Sequence, residues 1–138
     1  MTPFLVPASL LGFSIIGIIL SLLIGGVITQ PDWSLSILLA AMLAHRGSWL
    51  WALPGVLLHD IALYWTVFGV LPVVAFLPMM LIYTDQQLGP ALPQRIVLML
   101  FSCLPILWLG ADVFQWLLTA LLCIPLWYLL VMWYGQAA

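Results

Sequence analysis

The sequence contains no lysine and no glutamate, and its 138 residues include only two basic and four acidic side chains. A soluble domain devotes about 25% of its residues to charge, against 4% here. So few charges cannot cover the surface of a soluble fold. The composition therefore points to an integral membrane protein with almost no extramembrane domain. Without glutamate there is no H-E-x-x-H zinc motif, and neither a G-x-S-x-G elbow nor a glycine-rich phosphate loop is present. The two histidines, His45 and His59, lie in different segments and do not make a metal site. The formal net charge of −2 is too small to attract nucleic acid. With acid, base and nucleophile partners missing, the sequence predicts neither an enzyme nor a cofactor site. Cysteine is scarce too. Cys103 and Cys123 fall inside separate apolar runs and read as packing residues. Met1-Thr2-Pro3 has no basic n-region and no small-residue cleavage site follows Ile28, so the first apolar segment is expected to be a retained anchor.

What the chain does have is apolar length: 67% of its residues are hydrophobic, with eight Trp and four Tyr suited to membrane interfaces. The whole of 1–138 reads as one transmembrane domain with an all-α fold. Six spans are expected: Leu5 to Ile28, Trp33 to Ala44, Ser48 to Trp65, Val67 to Tyr83, Ile96 to Leu109 and Val113 to Tyr134. The count falls to five if the short second segment or the fourth does not cross. Pro31 suits the first turn of the second span, Asp32 complements its N-terminus, and Trp33 is a candidate interface anchor. Pro54 predicts a kink in the third span, and Pro72 and Pro78 an irregular fourth. Thr84 to Arg95 reads as the longest polar loop, with an exposed Asp85–Arg95 pair of little worth. Asp112 is a good N-cap for the last span.

Two stripes of small residues recur at helical spacing. Gly17, Ser21, Gly25 and Thr29 share one face of the first span, and Ser36, Ala40 and Ala44 one face of the second. Such stripes admit close helix packing, either within the chain or against a partner's helix. Arg46 and Arg95 lie in loops that fall on one side of a six-span chain, together with both termini. The positive-inside rule makes that side cytoplasmic and puts Asp32 and Asp112 outside.

The segment Ser48 to Trp65 carries His59 and Asp60 in its second half. A charge at the centre of a lipid-facing helix costs roughly 2.5–3.5 kcal/mol, so Asp60 is expected to face protein or a watery cavity. It reads as a structural carboxylate bonded to a hydroxyl, an indole or the backbone, or as a contact for a partner or ligand. His59 reads as a satisfied or interfacial histidine rather than a proton relay. Adjacent on a helix, the two side chains point about 100° apart and are not expected to serve one atom from one face.

The order of several motifs resembles a known family. Pro31-Asp32-Trp33 opens the second span and His45-Arg46 closes it; Gly55-Val56-Leu57-Leu58-His59-Asp60 lies in the third; Asp112 precedes the last, which contains Ile124-Pro125-Leu126-Trp127. From Gln30 to the C-terminus this resembles the rod shape-determining protein MreD family of proteobacteria. The chain departs from that pattern in having no basic tail after Tyr134 and in the stretch IALYWTVFGVLP that follows Asp60. The resemblance implies a non-catalytic component of the cell-elongation machinery in the bacterial inner membrane. Such a protein binds the bitopic protein MreC and couples MreB filaments to RodA and its class B penicillin-binding transpeptidase. It also implies a fold similar to the substrate-binding subunits of energy-coupling-factor transporters, which makes a vitamin-type binding subunit the alternative.

Overall fold

The computed structural model of the chain describes residues 5–24, 30–45, 48–67, 69–89, 92–110 and 112–137. These are almost entirely helical: α1 (Leu5–Ile24), α2 (Trp33–Ala44), α3 (Trp49–Tyr64), α4 (Leu71–Leu88), α5 (Leu92–Cys103), the single turn α6 (Pro105–Trp108) and α7 (Val113–Ala137). Gly25 and Arg46 lie outside the described residues.

The fold is arranged around the short helix α2. Nine of the 12 residues of α2 are buried, and α2 packs against α1, α3, α4, α5 and α7. Its composition explains how so many neighbours fit. Ser34, Ser36, Ala40 and Ala41 are fully covered small residues that let other helices approach, while Leu35, Leu38, Leu39 and Met42 fill the gaps between them. Backbone groups left over at helix ends and breaks are claimed from neighbouring elements. Pro105 has no N–H, and the N–H of Leu104 turns to the carbonyl of Phe101 at 3.2 Å. The Leu100 carbonyl then accepts from the Trp116 indole N–H of α7 at 3.1 Å. In the same way the Met42 carbonyl, near the end of α2, accepts from Trp49 Nε1 at 3.1 Å.

The structure corrects three sequence expectations. The stretch from Thr84 to Arg95 is largely helical: α4 continues to Leu88, and α5 begins at Leu92. The predicted fourth span starts late, at Leu71, because Val67, Gly69 and Val70 lie outside any helix. The predicted fifth span is broken at Leu104, where Pro105 opens the separate turn α6. Among the described residues one helix, over Val113–Trp133, is long and apolar enough by itself to cross a membrane, and four shorter apolar helices accompany it.

Polarity is inverted. Asp32, Asp60, His59 and Arg95 are buried and Asp85 is half-buried, while among the described ionisable Asp, Arg and His residues Asp112 and His45 are exposed. The outer surface is instead carried by groups such as Leu50, Trp65 and Trp108, which are 86%, 90% and 93% exposed.

Candidate functional site

Three titratable side chains meet at one end of the bundle. Asp32 caps α2, its Oδ1 accepting from the Leu35 N–H at 3.2 Å. That leaves Oδ2 free to meet His59, whose Nε2 lies 2.5 Å away. The other ring nitrogen, Nδ1, lies 3.1 Å from Asp60 Oδ1. Adjacency on α3 therefore does not hold His59 and Asp60 apart, as the 100° offset suggested; the imidazole swings back to touch its neighbour while its far edge reaches Asp32. Both carboxylates and the imidazole are at most 1% exposed.

The reversal after α3 is built on Asp60. α3 ends at Trp65 in the left-handed conformation, with φ +57, a position usually taken by glycine. The chain then returns so that the N–H groups of Val70 and Leu71 donate to Asp60 Oδ1 and Oδ2 at 3.1 and 3.0 Å. These are among the unpaired N–H groups at the start of α4, where a helix favours negative charge. Gly69 permits this approach, since a Cβ there would come within 3.0 Å of the Asp60 carboxyl carbon. Tyr64 lies edge-on to the His59 ring, with centroids 5.7 Å apart. From α7, Thr119 accepts the Asp32 N–H at 2.9 Å and donates to the Gln115 carbonyl at 2.7 Å. The trio thus joins the start of α2, the end of α3, the start of α4 and the first turns of α7.

Sequence reasoning singled out Asp32, His59 and Asp60 without pairing Asp32 with His59, and it missed Gly69, Thr119 and Tyr64. Thr119 gives no signal, as a lone threonine in an apolar run. The other candidates are apart from the trio. Trp33 is half-buried and donates Nε1–H to Gln30 Oε1 at 3.1 Å. Gly17 packs against the first turn of α2, where an added Cβ would stand 2.9 Å from Trp33 Cβ and Ser34 N. The Ser21 carbonyl accepts from Gln30 Nε2 at 3.3 Å. The close contact that the first stripe makes at Gly17 is therefore inside the chain. Next to it, Ser14 and Ser34 share a buried hydroxyl–hydroxyl bond of 2.8 Å.

A second polar cluster sits at the opposite end. Arg95 Nη1 and Nη2 donate to the Asp85 carboxylate at 2.9 and 3.4 Å. Gln94 donates to Thr84 and to Asp85, and accepts from Arg95. The pair is not the exposed one expected: the side chains are 8% and 19% accessible. Cys103 and Cys123 are both free and buried in the core, and Cys123 Sγ donates to the Ser36 carbonyl at 3.6 Å.

Both imidazole nitrogens are engaged by carboxylates, so His59 presents no free ring position to a substrate. Among the described residues no group of His, Cys, Asp or Glu is arranged to hold a metal ion. An apolar groove of about 680 Å³ runs between α1 and α7 over α2 and is lined by side chains such as Leu10, Phe13, Trp33, Leu130 and Trp133. Comparison with known proteins returns no matching family model, curated relative or solved structure.

Proposed function

We propose that the protein is a multi-pass inner-membrane scaffold that acts by association within the bacterial cell-elongation complex. Its helices would lie in the bilayer, with both termini on the cytoplasmic side. The observation that carries the membrane reading is the inverted polarity: buried carboxylates and imidazole inside, large apolar side chains outside. In lipid such a surface is at home, whereas a soluble monomer rarely exposes large contiguous apolar patches. The scaffold reading rests on the resemblance to the MreD family. It is also favoured by the two polar clusters among the described residues, in which Asp32, His59 and Asp60, and Asp85, Gln94 and Arg95, bond to one another within the chain. In this role the protein would bind an MreC-like bitopic partner and help link MreB filaments to RodA and its transpeptidase. The apolar groove lacks the several convergent polar groups that a vitamin site needs, which counts against the transport-subunit reading.

The test is depletion of the protein in its host together with mild-detergent co-purification. Rounded cells, a co-purifying bitopic partner and unchanged vitamin uptake are the expected result. Unaltered cell shape on depletion, or one tightly bound small molecule per chain, would overturn the proposal.

A further inference from the structure

We propose that Asp32, His59 and Asp60 form a proton-operated latch: together they hold two protons, and loss of one loosens the end of α3 from the start of α2. The proton count follows from the geometry. An ionised carboxylate only accepts hydrogen bonds, and a neutral imidazole has one N–H to give. Yet both ring nitrogens lie at hydrogen-bond distance from carboxylate oxygens, 2.5 Å for Nε2 to Asp32 and 3.1 Å for Nδ1 to Asp60. Two such bonds need two protons. An imidazolium between two carboxylates satisfies this, and so does a neutral imidazole that donates to one carboxylate and accepts from a carboxylic acid. Both arrangements carry a net charge of −1.

Remove one proton and the trio carries −2, with a bare nitrogen lone pair facing a carboxylate oxygen. Among the described residues no cationic side chain is left to absorb that charge. α2 offers Asp32 and the Leu35 N–H. α3 adds only the Tyr64 phenol, and α4 the N–H groups already bound to Asp60. α5 faces Asp32 with the Cys103 thiol, and α7 with the Thr119 hydroxyl. α1 and α6 have no titratable side chain, and Arg95 is committed to Asp85. Asp60 is pinned by two backbone N–H groups, and Asp32 by its capping bond. The imidazole is the part left to move, and as it moves the bond from α3 to α2 opens. This inference concerns the trio alone and stands or falls separately from the scaffold role.

Asp32→Asn separates the latch from simple packing. The substituted amide can keep the capping bond through its Oδ1 and donate from its Nδ2 to a bare His59 Nε2, so all contacts close without the extra proton. Two measurements on the full chain in lipid nanodiscs test this. In the His45→Gln variant His59 is the sole histidine, and its nitrogen NMR signals near neutral pH, read with the infrared carbonyl band, report the protons. The expected result is two protonated nitrogens, or one with a carboxylic acid band. In the second measurement, spin labels at exposed positions 65 and 114 follow the end of α3 against the start of α7, which Thr119 ties to α2. The label distance should change as pH is raised in the otherwise wild-type protein, and should stay constant in Asp32→Asn. A bare nitrogen with no carboxylic acid, a distance that ignores pH, or the same pH-driven change in Asp32→Asn would each overturn the latch.

Discussion

Asp32 Oδ2 and His59 Nε2 stand 2.5 Å apart although 27 positions separate the two residues. The contact forms because α2 starts where its neighbour α3 ends, so residues near those two ends share a depth in the bundle. Asp60, one position further on, extends the same network to α4.

The two aspartates are not equivalent to amidation. Asp60 uses both oxygens as acceptors, for the Val70 and Leu71 N–H groups, and its Oδ1 also meets His59 Nδ1. An asparagine there must turn an NH₂ group toward a donor, which leaves a buried N–H unpaired at a cost of about 1–3 kcal/mol. Asp60→Asn should therefore lower the unfolding midpoint in detergent clearly more than Asp32→Asn, for which a loss under about 1 kcal/mol is expected. Equal losses would contradict the assigned hydrogen bonds. The same asymmetry is expected in cell shape if the scaffold proposal holds.

Gly17 is a packing glycine. An added Cβ would stand 2.9 Å from Trp33 Cβ and from the backbone nitrogen of Ser34, and the backbone cannot yield cheaply. Gly17→Ala should cost about 1–3 kcal/mol of stability through overpacking. Leu23→Ala, at a position 74% exposed on the same helix, should change stability little. Thermal unfolding of the two variants side by side checks this. A Gly17→Ala protein as stable as wild type would place the α1–α2 contact elsewhere.

The Arg95–Asp85 pair should behave as a buried one. Arg95→Leu leaves the Asp85 carboxylate without its bidentate partner, a loss on the order of 3 kcal/mol when such pairs are broken singly. Adding Asp85→Leu should restore part of that stability, giving a coupling of opposite sign to the single losses. Strictly additive losses in a double-mutant cycle would show that the pair is solvated.

Topology is testable from outside the cell. Asp112, exposed before α7, and Gly89, at the end of α4, belong to opposite ends of the bundle. In a background lacking Cys103 and Cys123, a cysteine at 112 should react with an impermeant periplasmic reagent and one at 89 should not. Labelling at 89 alone would invert the proposed orientation.

Much of the helical layout was legible in the sequence. Apolar length marked the segments, Pro31-Asp32 marked the start of α2, and Asp112 capped α7 as expected, accepting from the Gln115 N–H at 2.7 Å. The errors have physical causes. Thr84, Asp85, Gln94 and Arg95 look like a loop because they are polar, yet on α4 and α5 they bond to one another. Asp32 and His59 were both visible, and an antiparallel pairing of α2 and α3 puts them at one depth, so their contact was within reach. The bonds from Val70 and Leu71 to Asp60 were not, because they are made by backbone groups whose side chains carry no mark. Nor was the burial of α2, since a short apolar run reads alike whether lipid or protein surrounds it.

That burial bears on how the chain is assembled. A helix of 12 residues is roughly 18 Å long at 1.5 Å per residue, well short of the ~30 Å hydrocarbon core of a bilayer. Its N-cap is also an aspartate, whose partners His59 and Thr119 are made later in synthesis. In a membrane α2 would therefore be a poor independent client of the insertion machinery. It would have to be held near the interface until α3 supplied the histidine and α7 closed over its far side. The chain would reach its final topology late, as a cooperative act of folding rather than one span at a time.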